Sequence, residues 1–189
     1  MRNKDEIKRK KIFESALRII AEEGLIGLNM QRLALQAEMA TGTLYLYFKD
    51  KSSLLAQMHN YYERWLADNV VESPHGQGTF EERFRKTWFN YVLFIQRYPA
   101  VIGFLEQYQS APLTIPHTEP RSAANSLFVD LIAEGQKAGL LKYGSSLVIE
   151  ALIIGAAHQW VLRSQNGSLP PTTDYIHLAW EMTWKAIQR

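Results

Sequence analysis

Apolar residues recur at helical spacing along nearly the whole chain. Between residues 4 and 23 they fall at Ile12, Phe13, Ala16, Leu17, Ile19 and Ile20, the i, i+3, i+4, i+7 stripe of an amphipathic helix. Gly24 follows as a natural stop. Asn29 is suited to cap a short helix reaching residue 36 or 37, with Leu33 and Ala34 facing inward. The connection Glu38-Met39-Ala40 leads to a second short helix over residues 41–47. Asp50 then caps a long helix to about residue 71, striped by Leu54, Leu55, Met58, Tyr62, Trp65 and Leu66. Further helices are expected over residues 79–97, 99–109, 121–138, 145–163 and 172–188. Pro99 suits a first turn and Gly139 a helix end. Residues 72–78 and 111–120 read as loops, the second holding three prolines, and residues 164–171 as a turn. No strand-period run competes. The fold class is all-α, with about nine helices.

Composition narrows the field. With 189 residues, 47% of them apolar, the chain has ample material for a core. It has no cysteine, which excludes a disulfide framework, a thiolate nucleophile and any cysteine-ligated metal, and fits a reducing, cytoplasmic setting. The longest apolar run, residues 147–157, is shorter than a bilayer span and carries Glu150. No signal-peptide pattern is visible, so a soluble protein without a membrane partner is expected. Net charge is only +2, but it is unevenly placed. Residues 1–51 hold ten Lys/Arg against seven Asp/Glu; the remainder holds eleven against twelve. Arg2, Lys4, Lys8, Arg9, Lys10 and Lys11 crowd together. Such a cluster attracts nucleic acid or an acidic membrane, and fits equally a solvated helix start.

Two short helices with a three-residue connection, behind a basic amphipathic helix, have the dimensions of a helix-turn-helix. One short helix enters the major groove and its partner braces it across the backbone. The residues sharpen this. Gly42-Thr43-Leu44-Tyr45, then Tyr47-Phe48, then Lys51 ahead of Leu54-Leu55, closely resemble the DNA-binding segment of the TetR family of bacterial repressors. The spacing of Phe13, Ala16, Leu17 and Gly24 agrees with that family's first helix, and residues 134–139 also resemble a family phrase. The motif-level likeness covers about residues 8–55. Three positions depart from it. Glu38 stands where a turn glycine is usual, bringing a negative charge to the DNA side. Ala40 stands where a serine usually caps the recognition helix, with Thr41 as its substitute. Asn29 replaces a common threonine.

The resemblance implies a DNA-binding domain of three helices over residues 1–51 and a helical ligand-binding and dimerisation domain over residues 52–189. Thr41 and Thr43 offer hydroxyls to phosphates or base edges, and Gly42 lets backbone approach closely. Tyr45 is the first choice for a DNA contact and Tyr47 a weaker one; Lys51 and Lys49 suit phosphate, and Asn29 and Gln31 suit contacts from the second helix. Leu44 and Phe48 read as core, while Leu46 is undecided. In the second domain the helix at 145–163 is apolar nearly all round, so it belongs in a core or against another subunit. The family pairs its last two helices across a homodimer. Trp65, Trp88, Phe104, Tyr108, Phe128 and His158 are the pocket candidates among many aromatics, with Glu106 and Glu150 as ionisable groups on apolar stretches.

These readings converge on a ligand-responsive repressor that binds a palindromic double-stranded operator as a homodimer and is released by a small, partly apolar or aromatic effector. The competing class is a helical small-molecule carrier or sensor that contacts a protein or acidic membrane through its basic N-terminus. No HExxH, GxSxG, Walker loop or GxGxxG appears, so no enzyme, cofactor or metal is expected.

Overall fold

A computed structural model describes residues 2–71, 78–111, 128–170 and 172–189. Nine helices are found among the described residues: α1 (Arg2–Gly27), α2 (Met30–Gln36), α3 (Thr41–Tyr47), α4 (Lys51–Val70), α5 (Phe80–Arg97), α6 (Pro99–Ser110), α7 (Val129–Lys137), α8 (Ser146–Gln165) and α9 (Thr173–Ile187). The all-α expectation holds; the one β feature described is an isolated bridge between Leu141 and Gln188. The loops expected at 72–78 and 111–120, and the start of the helix expected at 121–138, lie wholly or mostly outside the described residues.

The helices group into two compact units, one within Met1–Trp65 and Tyr98–Ser122, the other within Leu66–Arg97 and Ala123–Arg189. In the first, α1 packs on α2 and α6, and α2 on α3. Ile12, Leu33, Leu44, Phe48 and Leu54 are almost wholly buried. Each such side chain contributes about 1.5–3 kcal/mol by leaving water. Gly24 breaks α1, as the sequence suggests, but does not end it: its φ of 69° interrupts the helix, which resumes to Gly27. The break frees the Leu25 amide, which donates to Gln107 Oε1 on α6 at 3.1 Å. A side chain at Gly24 would be strained at that φ and would meet the same Gln107 oxygen at 3.2 Å.

In the second unit, α8 packs on α5, α7 and α9. Thr79 opens α5 with a reciprocal capping box: its backbone amide donates to Glu82 Oε2 at 2.7 Å, and the Glu82 amide donates to Thr79 Oγ1 at 3.2 Å. Gly139, at φ 70°, turns the chain after α7. The following residues pair with the end of α9: Lys142 donates its amide to Ile187 O at 2.8 Å, and Arg189 to Leu140 O at 3.0 Å. At 20 residues α8 is longer than its apolar run suggests, and by length and composition alone it matches a membrane span. Here it buries Ile149, Glu150, Ile153, Ala157, Trp160 and Val161.

Candidate nucleic-acid interface

The helix-turn-helix is built from inside outward. Asn29 caps α2, its Oδ1 accepting from the Arg32 amide at 2.9 Å. Met30, Leu33 and Ala34 are the buried face of α2. The turn then needs a left-handed residue, and Glu38 supplies it at φ 53°. A non-glycine residue there carries strain. Its charge is answered: Lys11 Nζ lies 2.8 Å from Glu38 Oε2, and that hydrogen bond holds the carboxyl below its ordinary range. The negative charge expected on the DNA side is therefore paired to α1.

Leu44 on α3 and Phe48, the residue that closes it, point into the core. The opposite side is open. Gly42 is exposed, Thr41 and Thr43 are half-buried, Tyr45 is 52% exposed and Leu46 84%. Leu46 is thus an outward apolar residue, the point the sequence leaves undecided. Thr41 does not take over capping: Ala40 is the N-cap residue, no side chain bonds there, and Thr41 begins the helix itself. Nothing lies within 4 Å of where a Gly42 side chain would begin. No packing inside the chain demands a glycine at that position.

The remaining candidates divide. Gln31 and Lys49 are exposed. Tyr47 is half-buried and its hydroxyl donates to Asp5 Oδ1 at 3.0 Å; desolvation and that carboxylate both raise its pKa, so it stays a neutral phenol. Lys51 is turned partly inward, donating from Nζ to the Leu25 carbonyl at 2.6 Å, and partial burial lowers its pKa. Asp50 caps α4, accepting from the Ser53 amide at 2.7 Å. Arg9, exposed on α1, stands over the Phe48 ring at 5.9 Å, and Arg32 pairs with Glu23.

The ligand candidates fall in both units. Trp65, Phe104 and Tyr108 belong to the first. Phe104 and Tyr108 are buried with centroids 6.0 Å apart, and Tyr108 stacks on His59 at 4.4 Å. Glu106 lies on the exposed face of α6. Trp88, Phe128, Glu150 and His158 belong to the second unit. Tyr91, which sequence reasoning does not select, draws three of these together: its hydroxyl and His158 Nε2 share a hydrogen bond, its ring meets Phe128 edge-on at 6.1 Å, and Glu150 Oε1 accepts from the Phe128 amide at 3.5 Å. Trp88 sits one turn before Tyr91 on α5, donating from Nε1 to Ile153 O at 3.3 Å. A second passed-over pair is His59 and Glu63, buried on α4 with Nε2 and Oε1 3.1 Å apart. Desolvation pushes Glu63 up to about 7.

Comparison with known proteins agrees with this architecture. Residues 12–58 match the family described as bacterial regulatory proteins, tetR family, and residues 79–188 match the tetracyclin repressor-like C-terminal domain. An HTH-type transcriptional regulator of Haemophilus influenzae is 30% identical over 179 residues, covering 94% of each chain. The crystal structure of a TetR family transcription regulator from Marinobacter aquaeolei superposes with a TM-score of 0.90 over 100% of this chain and 99% of that one, at 24% identity. That of a TetR-family regulator from Haemophilus influenzae gives 0.81 at 27% identity, covering 98% of both chains. The chain belongs to the TetR family and is a helix-turn-helix transcriptional regulator. The carrier reading is left without support.

Proposed function

We propose that the protein is a homodimeric repressor that binds a palindromic operator through α3 and leaves it when a small, partly apolar or aromatic effector binds. The observation that carries the DNA reading is the outward face of α3. There two threonines, a tyrosine and a glycine that internal packing does not require sit on a helix anchored by Leu44 and Phe48. Such a face suits close approach to a groove: hydroxyls meet phosphates or base edges, and the Thr43 methyl and Leu46 meet thymine methyls. Gln31 and Asn29, whose amide nitrogen is not used by the cap, flank it. Lys49 adds phosphate contacts. Lys51 does so as well, because an ammonium has three donors and the Leu25 carbonyl takes one.

The dimer reading rests on α8 and α9. Leu147, Val148, Leu152, Leu162, Leu178 and Met182 are all exposed. Apolar residues gathered this way mark a partner surface. Gly155 is open on α8, which lets a second helix come close. Two-fold symmetry then places recognition helices about 34 Å apart, one DNA turn, or a multiple of it. The effector reading centres on Tyr91, Phe128, Glu150 and His158, which combine aromatic faces with a buried carboxylate. In this reading the domain division lies at residues 51–52, with α4 carrying the signal.

The test is selection of bound sequences from random duplex DNA by the purified chain, followed by footprinting. A protected palindrome is expected. Binding without sequence preference, or no binding, sinks the operator reading.

A further inference from the structure

The recognition helix carries none of the side chains that read purines by paired hydrogen bonds. From Thr41 to Tyr47, α3 runs Thr-Gly-Thr-Leu-Tyr-Leu-Tyr, without an arginine, lysine, asparagine, glutamine or acid. In the major groove, arginine or lysine reads guanine through O6 and N7, asparagine or glutamine reads adenine through N6 and N7, and an acid accepts from cytosine N4. A hydroxyl bonds to any of several base edges and so discriminates little. For a helix of this composition one base-specific feature is left, the C5 methyl of thymine, the one methyl group a base pair presents there.

Helical spacing sorts the outward residues of α3 into two strips. Thr41 and Tyr45, four apart, line one side with hydroxyls; Thr43 and Leu46, three apart, line the other with methyl groups. Gly42 lies between them, exposed and with no atom within 4 Å of where a side chain would begin, so the strips flank bare backbone. Leu46 is 84% exposed, whereas Leu44, two residues earlier, is completely buried. An exposed leucine alone is ordinary on a protein surface. This one stands beside a threonine methyl on a seven-residue helix where every other outward side chain ends in a hydroxyl. Asn29, Gln31, Lys49 and Lys51 lie outside α3 and suit phosphates, which fix register but carry no sequence information.

We infer that α3 identifies its half-site by thymine methyl groups rather than by paired hydrogen bonds to purines, with Leu46 the residue that sets the preference and Thr43 its neighbour in the same strip. The inference rests on the operator reading above and adds the class of base sequence that operator holds. Each half-site carries at least two thymines, on either strand, where the Thr43–Leu46 strip meets the groove.

Competition binding of the full chain, at one fixed salt concentration, tests this on the duplex it selects from random DNA. Deoxyuridine in place of thymine removes the C5 methyl and keeps Watson–Crick pairing; 7-deazapurines remove the purine N7 in a parallel series. With every thymine of one half-site replaced, affinity is expected to fall about fifteenfold, about fourfold for each of two buried methyl groups. Replaced one at a time, two thymines carry that loss. Leu46→Ala abolishes the response at one of them, and Thr43→Ser, which keeps the hydroxyl, abolishes it at the other. Leu46 is exposed, so its variant keeps the fold. A change within twofold on replacing all thymines overturns the inference. So does a larger loss from the 7-deazapurines, or a Leu46 variant whose responses to deoxyuridine are unchanged. A selected sequence indifferent to deoxyuridine leaves the operator reading standing and sinks this one alone; no selected sequence at all sinks both.

Discussion

The outward faces of α3 and α8 are both unsatisfied by their own chain, but in opposite chemical senses. α3 turns out Thr41, Gly42, Thr43 and Tyr45. α8 turns out Leu147, Val148, Leu152 and Leu162, continued on α9 by Leu178 and Met182. The first face loses little by standing in water, and under the proposed function it gains from a partner rich in phosphate and base edges. The second is unfavourable in water until another apolar surface covers it. An exposed residue therefore means little alone. Leu46 on α3 is as apolar as Leu152 on α8, but its neighbours on the same face are a glycine, threonines and a tyrosine rather than further leucines.

Salt separates the two faces most sharply. Operator affinity is expected to fall roughly a thousandfold between 50 and 200 mM salt if about six phosphates are contacted. The dimer mass seen by sedimentation should not change over the same range. A dimer that dissociates with salt would erase the contrast. Next in size, Leu152→Glu combined with Leu178→Glu places charges on the apolar face. The sedimenting mass should fall to that of one 21.7 kDa chain. Operator affinity should drop on the order of a hundredfold as the two half-sites lose their coupling. Tyr45→Ala should cost roughly tenfold in operator affinity, the scale of one base or backbone contact, with the dimer intact.

Two smaller effects probe what supports the faces from within. Burial holds Glu63 protonated up to about pH 7 in the folded chain, against 4.5 for an ordinary glutamate. Between those values the folded state binds the extra proton, so stability falls as pH rises through that window. Thermal melts should show this slope, and Glu63→Gln should flatten it. Asn29→Ala removes the cap of α2 and should destabilise the chain by about 1 kcal/mol in denaturant titration.

Much of this was legible because the signals are local. Asn29, Asp50 and Thr79 begin their helices as expected, since a capping side chain reaches only two or three residues along the chain. Leu44 and Phe48 are core, as their apolar character implies. The rest depends on partners far apart in sequence. Glu38, left-handed in the turn, pairs its carboxylate with Lys11, and Lys51 reaches the Leu25 carbonyl in the last turn of α1. Neither follows from periodicity. The cluster at Tyr91 needs three helices folded together before its members meet. His59 and Glu63 are different: they continue the inward stripe of Leu55, Tyr62 and Leu66, and polar residues on that stripe were a visible sign of an ionisable interior.

The backbone bonds joining Lys142 and Leu140 to Ile187 and Arg189 have a mechanical consequence. A helix at an interface often creeps along its neighbour by one turn, re-seating its knobs in the next set of holes. α9 is restrained against that slippage, because its last residues are bonded to the strap that leads into α8, and Lys142 Nζ adds a third tie to the Ala186 carbonyl at 2.7 Å. The end of α9 is therefore cross-tied to the segment that starts α8. Under the proposed function, an effector-driven slide of α9 by one turn would have to break all three of these bonds, whereas a tilt of the pair would keep them.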